Sequence, residues 1–310
     1  MLVAGTFVVL ALLGLVFEAA AEAVDTHIYP PPGRLVDVGG YRLHLLCLGH
    51  GSPTLVLEAS HGGTVAHWVR VQESLAQSVP VTVCAYDRAG AGWSDSGPEP
   101  RDAATWHPNS TGSSPARDIG RPIVLVAHSF GGLVARVYAA EHPRDVQAMV
   151  LLEGLPPDFW LRQGLPESTT IGVQVPLEGA GVAARLGLLR LTGFPAADAH
   201  LPAREYAEAR AFQSSAKFGD LLAVIERSFP ASLAQARASG SFGDTPLLVL
   251  LGGASEANDP LARTLQDEQV RLSTRGSLGV VDGATHNGLV TNPADAPITV
   301  QLITRFLAAL

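Results

Sequence analysis

One segment near the middle of the chain limits the possible folds more than any other part of the sequence. An apolar run at residues 124–127 is followed by His128 and Ser129, and then by the pair Gly131 and Gly132. Small residues beside a serine allow the chain to turn sharply between a strand and a helix. We therefore expect a buried strand, a tight turn with Ser129 at its tip, and a helix that begins directly after the turn.

Other apolar runs recur along the chain and predict the remaining strands. Short continuous runs lie at residues 54–57, 81–86 and 122–127, the last of which contains the run described above, and residues 146–152, 246–251 and 278–281 continue the set. Residues 34–38 and 41–48 also have the periodicity of strands. Short continuous apolar runs are typical of strands that are buried on both faces. Helical stretches separate most of the runs, which indicates a mostly parallel sheet covered by helices. Gly39 and Gly40 predict a hairpin between the first two strands.

The strand pattern stops between residues 154 and 243. Three stretches in this interval have helical spacing with alanine-rich and charged faces, at residues 203–212, 219–227 and 231–237. We therefore predict a helical insertion between two strands of one sheet.

The N-terminal segment is strongly apolar, since residues 2–17 are sixteen residues without a charge and Glu18 follows them. A helix that spans a membrane needs about 20 predominantly apolar residues, so a single membrane anchor is the favoured interpretation. A cleaved signal peptide is an alternative, because small residues surround Ala21 and Ala23, although a positively charged start is absent. A buried core helix is the third alternative. The prolines at residues 30–32 end any helix that precedes them.

The composition disfavours two classes of function. The net charge is −8 and the 21 basic residues are scattered, which argues against nucleic acid as a partner. The two cysteines, Cys47 and Cys84, and the ten histidines do not have the spacing of metal ligands. We therefore expect no metal ion in the site.

Ser129 and His286 are the candidate catalytic residues. A serine hydroxyl becomes a good nucleophile only when a base removes its proton and the backbone presents it to the substrate. The turn at Ser129 would present the hydroxyl, in a G-x-S-x-G pattern in which Ala127 replaces the first glycine. His286 follows the last apolar run in a glycine-flanked loop, from which its ring can reach across the carboxyl edge of the sheet. An ordinary turn with a serine cap, and a structural histidine, are the alternatives.

This chemistry also needs two backbone N–H groups that stabilise the negatively charged oxygen of the intermediate, an oxyanion hole. One is expected from Phe130, directly after Ser129, and the other from the loop after the third strand, at residues 58–64. Within this loop the donor is His61 or Gly63.

The chain resembles the α/β-hydrolase superfamily, and specifically its membrane-anchored bacterial branch. The resemblance lies in residues 29–50, 53–68, 84–95, 124–138 and 272–290, and its most specific part is the YDRxGxGxSD stretch at residues 86–95. It implies an eight-stranded sheet in residues 29–154 and 243–310, a helical lid at residues 155–242, and an anchor or signal segment at residues 1–28. It also implies hydrolysis of ester-like bonds without a cofactor, and His61 as the second oxyanion donor. One departure is that residues 103–121 are polar where the family has a helix.

The resemblance bears on the acid that orients His286. In relatives the acid commonly follows the glycine after the seventh strand by three positions, which favours Glu256. Asp259 in the same loop and Glu153 after the sixth strand are alternatives, because the order along the chain allows each of them. Asp259 precedes Pro260 and could instead cap a helix.

The resemblance also pairs the second strand with the fourth. Cys47 and Cys84 are therefore expected on neighbouring strands, either as a disulfide or as two buried thiols.

Together these features favour a serine hydrolase that cleaves carboxylic esters of apolar acyl groups. One helix would hold it in the cell membrane with the catalytic domain on the outer face, and secretion after signal cleavage is the alternative location. A peptidase or amidase acting on a small amine is an alternative function, for which Glu205 and Glu208 give a weak hint. A membrane-tethered binding protein without activity is another.

Overall fold

The structure, a computed structural model, describes residues 2–105, 119–166, 177–194 and 196–310. Among these residues eight strands form one sheet in the order β1-β2-β4-β3-β5-β6-β7-β8. The strands are β1 (Arg34–Asp37), β2 (Arg42–Gly49), β3 (Thr54–Glu58), β4 (Thr82–Tyr86), β5 (Ile123–His128), β6 (Val146–Leu152), β7 (Leu247–Gly252) and β8 (Gly276–Val281). β2 pairs antiparallel with β1 and β4, and the other neighbours pair in parallel. The predicted α/β fold with an eight-stranded, mostly parallel sheet is confirmed.

Helices surround the sheet. They are α1 (Leu2–Ile28), α2 (Val65–Ser78), α3 (Gly131–Glu141), α4 (Phe159–Arg162), α5 (Leu177–Arg185), α6 (Leu188–Thr192), α7 (Ala203–Ser214), α8 (Ala216–Ala238), α9 (Gly253–Asn258), α10 (Ala262–Val270), α11 (Gly288–Thr291) and α12 (Ala296–Leu307). Helices α4 to α8 lie between β6 and β7 in the chain, within the lid segment (residues 155–242). Of the polar segment at residues 103–121, residues 106–118 lie outside the described part of the chain.

The central strands are apolar at every position because both faces of the sheet are covered. In β3 the side chains of Leu55 and Leu57 belong to one buried cluster, and Val56 between them belongs to another. Successive side chains of a strand point to opposite faces, so a strand covered on both faces shows a continuous apolar run. Helices α2 and α12 pack on the first face, and α3 packs on the second.

Helix α8 corrects one prediction. The sequence indicated two helices, at residues 219–227 and 231–237, on either side of Pro230, but the structure has one helix that contains this proline. A proline removes one backbone hydrogen bond from a helix. Here the apolar face continues past it, because Phe229 and Leu233 belong to the same buried cluster. Packing on α3 therefore outweighs the lost hydrogen bond.

Helix α1 is continuous and ends at Ile28, as the following prolines predicted. The stretch Gly5–Ile28 is long and apolar enough to cross a membrane, and only 6% of its most apolar window is buried. The alternative of a buried core helix is therefore wrong. By these criteria the helix is a candidate membrane anchor or signal sequence.

The two cysteines lie opposite each other in the antiparallel pair β2 and β4. Cys47 and Cys84 form a disulfide, with their Cα atoms 4.0 Å apart. The prediction of neighbouring strands is confirmed, and of the two alternatives the structure has the bridge.

Candidate active site

Ser129 lies at the tip of a sharp turn between β5 and α3. Its φ angle is +56°, in the left-handed region that side chains rarely adopt. The two glycines after it allow this turn, because a Cβ on Gly131 would lie 2.6 Å from the carbonyl oxygen of Ala59, and one on Gly132 would lie 2.8 Å from Gly154. The backbone is therefore bent so that the Ser129 side chain leaves the sheet at its carboxyl edge.

His286 lies in the loop after β8 and contacts one carboxylate. Its Nδ1–H donates to Oε2 of Glu153 over 2.6 Å. The other oxygen of this carboxylate, Oε1, accepts a hydrogen bond from the amide of Gly252 at 2.7 Å. Glu153 directly follows β6 and has a φ angle of +41°. The carboxylate is thus held from both sides, and the Nε2 atom of His286 is the ring nitrogen left to act on a substrate.

The preference for Glu256 as the partner of His286 was wrong. Glu256 lies on α9 and pairs instead with Arg263, at 3.3 Å. One of the two alternatives, Glu153, occupies the expected position. All three candidates follow strands that end at the same edge, so their order along the chain could not distinguish them.

Asp259, the other candidate, has two different partners. Its Oδ1 atom accepts a hydrogen bond from the amide of Leu261 at 2.9 Å, and its Oδ2 atom accepts one from Gln163 at 3.3 Å. Asp259 does not cap α10, whose N-cap residue is Leu261; its side chain instead accepts from the amide two residues further along in a local turn.

His128, which directly precedes Ser129 at the end of β5, is a second histidine at the site. Its ring is buried, its Nε2–H donates to the carbonyl oxygen of His286 at 3.0 Å, and the two ring centroids are 4.6 Å apart. Burial, and secondly the neighbouring His286, hold the pKa of His128 well below its usual value of 6.5. A neutral His128 therefore fixes the backbone of His286 without adding a charge beside it.

The loop after β3 carries the expected oxyanion donors. The amide of Gly63 donates to the carbonyl oxygen of Ser60 at 3.0 Å, so it is already used within the loop. The amide of His61 has no hydrogen-bond acceptor among the residues that the structure describes. Phe130, which would supply the other amide, is buried beside the ring of His61, with ring centroids 6.1 Å apart. This pattern favours His61 over Gly63.

A buried arginine, whose role the sequence analysis did not identify, holds this loop. The Nη1 atom of Arg88 donates to Glu58 and to the carbonyl oxygen of Ala59, both at 2.7 Å, and Nη2 donates to the carbonyl oxygen of Ser60. Its guanidinium carbon also lies 5.3 Å from the ring centroid of Phe130. Arg88 therefore links both segments that carry the candidate oxyanion amides.

The aspartate beside it fixes the neighbouring turns. Asp87 accepts hydrogen bonds from the amides of Val65, at the start of α2, and of Trp93, at 2.9 and 3.1 Å. It also contacts the Nδ1 atom of His44 at 2.9 Å. The YDRxGxGxSD stretch thus stabilises the carboxyl edge of the sheet rather than lining the cavity that contains Ser129 and His286.

Ser129, Glu153 and His286 line one cavity of about 430 Å³. Its walls include Leu155, Phe159 and Trp160 from the start of the lid segment, together with Leu251 and Leu265. The structure therefore brings a serine, a histidine with an oriented ring, and an apolar pocket to one place. A serine, a histidine base and a carboxylate that orients the base are the groups needed for acyl transfer.

The family follows from a comparison with known proteins. A model of the α/β-hydrolase family matches residues 35–296. The chain therefore belongs to the α/β-hydrolase family.

Individual relatives agree with this assignment. The 2-hydroxy-6-oxo-2,4-heptadienoate hydrolase of Pseudomonas putida is 28% identical over 146 residues, which are 45% of this chain and 51% of that protein. The matches to curated relatives cover between 22% and 51% of those proteins, less than two thirds of their length.

Two solved structures share the fold. The enol-lactonase from Burkholderia xenovorans LB400 superposes with a TM-score of 0.62 and 20% identity, over 89% of this chain and 100% of that one. A membrane phospholipase A, described as a bacterial virulence factor, superposes with a TM-score of 0.60 and 22% identity, over 99% of this chain and 96% of that one. At these identities the likeness concerns the fold.

Proposed function

We propose that the protein is a serine hydrolase that cleaves carboxylic esters of apolar acyl groups. The observation that carries the proposal is the contact between Glu153 and His286 in the cavity that Ser129 also lines. A hydrogen-bonded carboxylate fixes the imidazole tautomer, which leaves Nε2 free to accept a proton.

The reaction would proceed in two steps. The Ser129 Oγ attacks the acyl carbon while Nε2 of His286 accepts the hydroxyl proton, and the amides of Phe130 and His61 stabilise the negatively charged oxygen. The intermediate collapses to an acyl-serine, and the alcohol leaves with the proton from Nε2. A water molecule then gives a proton to Nε2 and attacks the acyl carbon; the bond to Ser129 Oγ breaks, the acid is released, and Oγ takes the proton back from Nε2.

The cavity supports an apolar acyl group. The side chains of Leu155, Phe159, Trp160 and Leu265 form its walls. The weak hint for an amine substrate does not apply to this cavity, because Glu208 lines a different one and pairs with Arg204 at 2.9 Å. An ester is therefore favoured over an amide of a small amine.

We further propose that α1 anchors the protein in a membrane with the hydrolase domain on the outer face. The exposed apolar length of α1 supports the anchor. The disulfide between Cys47 and Cys84 supports the outer face, because such bridges persist in oxidising compartments. The solved membrane phospholipase A, with the same fold over 99% of this chain, adds support for an ester at a membrane surface.

The test compares two serines of the same cavity. We expect Ser129→Ala to abolish labelling by a fluorophosphonate probe and to lower turnover of p-nitrophenyl butyrate by about four orders of magnitude or more. Ser255→Ala is the matched control, because Ser255 also lines the cavity and is not expected to react. Labelling of the Ser129→Ala protein, or more than about a tenth of the original turnover, would contradict the proposal and favour a non-catalytic binding protein.

A further inference from the structure

Helix α1 contacts the lid segment partway along its apolar length. A Cβ on Gly14 would lie 2.6 Å from the carbonyl oxygen of Leu186, and one on Gly187 would lie 2.7 Å from the ring of Phe17. The backbone of the turn between α5 and α6 therefore touches α1 at the level of residues 14–17. This contact sets the position of the lid segment along the axis of α1.

An ion-pair cluster holds this contact together. Two nitrogens of Arg190, on α6, donate to the carboxylate of Glu18 at 3.0 and 2.9 Å, and the third lies 2.8 Å from Asp25. Glu18 is buried, so the first charge after the apolar run is covered by the lid segment rather than exposed. A charge at membrane depth is costly unless it is paired, and Arg190 supplies that pairing.

The same part of the lid segment exposes large apolar side chains. Val182, Leu188, Leu191 and Phe194 are 58%, 46%, 69% and 48% exposed. Single exposed apolar residues are ordinary on a protein surface, but several that adjoin an exposed apolar helix mark an interaction site. These four residues, which we call the α5–α6 surface, flank the contact with α1.

The length of the apolar run decides what covers this surface. Sixteen helical residues, 2–17, span about 24 Å. The hydrocarbon core of a bilayer is about 30 Å thick. About 20 helical residues cross this core, and any such part of the stretch Gly5–Ile28 includes residues 14–17, the level at which the lid segment touches the helix.

We propose that the α5–α6 surface is embedded in the bilayer that α1 crosses, so that the lid segment has its own contact with lipid. The proposal rests on the membrane anchoring proposed for α1. The partner is the acyl-chain and headgroup boundary of the membrane, because the surface is apolar and the two arginines beside it in the chain, Arg185 and Arg190, are each paired with a carboxylate. Docking of this kind brings the lid segment, which supplies Leu155, Phe159 and Trp160 to the active-site cavity, close to a source of apolar acyl substrates.

A depth measurement tests the contact directly. The native cysteines form the disulfide, so a cysteine introduced by Leu191→Cys is the free thiol that accepts an environment-sensitive NBD label. The matched control is Arg144→Cys, an exposed position at the opposite, amino edge of the sheet. Both full-length proteins are reconstituted into phosphatidylcholine vesicles that contain lipids spin-labelled on the acyl chain, after circular dichroism has shown native folding.

We expect the label at Leu191 to be quenched at least about threefold more than the label at Arg144, because nitroxide quenching requires proximity within the apolar layer. Equal quenching at the two positions would overturn the proposal. Failure of the full-length protein to enter the vesicles would overturn it as well.

An activity measurement separates docking from the proposed hydrolysis. The variant Leu191→Glu with Phe194→Glu should hydrolyse an ester embedded in vesicles roughly tenfold more slowly, and p-nitrophenyl butyrate in solution at the original rate. If the variant hydrolyses both substrates at the original rates, or loses the same factor on both, docking is contradicted. If the unaltered protein hydrolyses neither ester, the proposed function fails, and the depth measurement still decides whether the lid segment contacts lipid.

Discussion

One ion pair at the carboxyl edge of the sheet and one in the lid segment lie in opposite environments. At the edge, Arg88 and Glu58 form an ion pair at 2.7 Å whose side chains are 1% and 4% exposed. In the lid segment, Arg185 and Asp220 form a pair at 2.8 Å whose side chains are 47% and 57% exposed. The distances are nearly equal, so burial determines how much each pair contributes to stability.

This difference separates what must stay fixed from what can move. A buried pair keeps one geometry when several hydrogen bonds fix it, and Arg88 holds the oxyanion loop in this way through the carbonyl oxygens of Ala59 and Ser60 before any substrate arrives. An exposed pair is screened by water and salt and can re-form in another arrangement at little cost. The lid segment can therefore adjust to a substrate or to a membrane while the edge retains its shape. Four predictions test this contrast.

The largest effect is expected at the edge, from the carboxylate that orients His286. Glu153→Gln keeps the shape of the side chain but removes the charge that stabilises the protonated ring, so we expect turnover of p-nitrophenyl butyrate to fall by about a thousand- to ten-thousand-fold. Glu256→Gln is the control, because Glu256 contacts Arg263 and not His286. Steady-state kinetics on the two variants measures the difference. A larger loss in the Glu256 variant would restore the original interpretation of the sequence.

The next effect concerns the buried pair itself. Arg88→Met leaves Glu58 buried without its partner, which costs about 3–5 kcal/mol in the free energy of unfolding. Burial raises the pKa of the Glu58 carboxyl and Arg88 opposes that rise, so the variant carboxyl takes up a proton more readily. Its folded pKa then lies further above the unfolded one, and the variant should regain stability as pH falls.

Urea unfolding at several pH values measures this effect, and kinetics tests the link to the oxyanion loop. Because Arg88 acts through the loop, Arg88→Lys should lower kcat more than it raises KM, with a smaller loss of stability than Arg88→Met. A change in KM alone would mean that Arg88 does not position the oxyanion donors.

The same burial at the edge explains which site residues the sequence could predict. Ser129 was predictable because its requirements are local: an apolar strand, small neighbours and a tight turn occur within a few residues. His286 was predictable because it follows the last strand in a glycine-flanked loop. Both predictions depend only on residues that lie close together in the sequence.

The acid and the bracing arginine depend on distant contacts. Glu153 reaches His286 because its backbone turns to a φ of +41° after β6, and no nearby residue signals that turn. Arg88 is charged and buried, and its acceptors are the Glu58 carboxylate at the end of β3 and two backbone carbonyls of the loop that follows. The family resemblance showed that the YDRxGxGxSD stretch is a specific motif, but it did not show which atoms Arg88 contacts.

The third prediction concerns pH and His128. The folded pKa of His128 lies well below the unfolded value of 6.5, so the unfolded chain binds the proton more tightly than the folded protein. Stability is therefore lost as pH falls below about 6.5, by at most about 1.4 kcal/mol for each pH unit until the folded pKa is reached. In His128→Gln the amide can still donate to the carbonyl oxygen of His286, and this loss should disappear.

Urea unfolding between neutral pH and about pH 5 compares the two proteins over the range in which an ordinary histidine titrates. The pKa of His67 is also lowered, chiefly by burial, but it is present in both proteins and its effect cancels in the difference. Parallel pH profiles for the two proteins would show that His128 is not the group responsible.

The smallest loss of stability is expected in the lid segment, where a large measured loss would contradict the difference between the two regions. Arg185→Met removes the pair with Asp220, and because both side chains are about half exposed we expect a loss of less than about 1 kcal/mol. The loss should shrink further at high salt, since ions screen exposed charges. Urea unfolding at low and high salt measures both quantities, with Arg88→Met as the reference for a buried pair.

A loss above about 2 kcal/mol that salt does not reduce would mean that the lid segment is held as firmly as the edge, because only a desolvated pair resists screening. An adjustable lid segment would then be untenable.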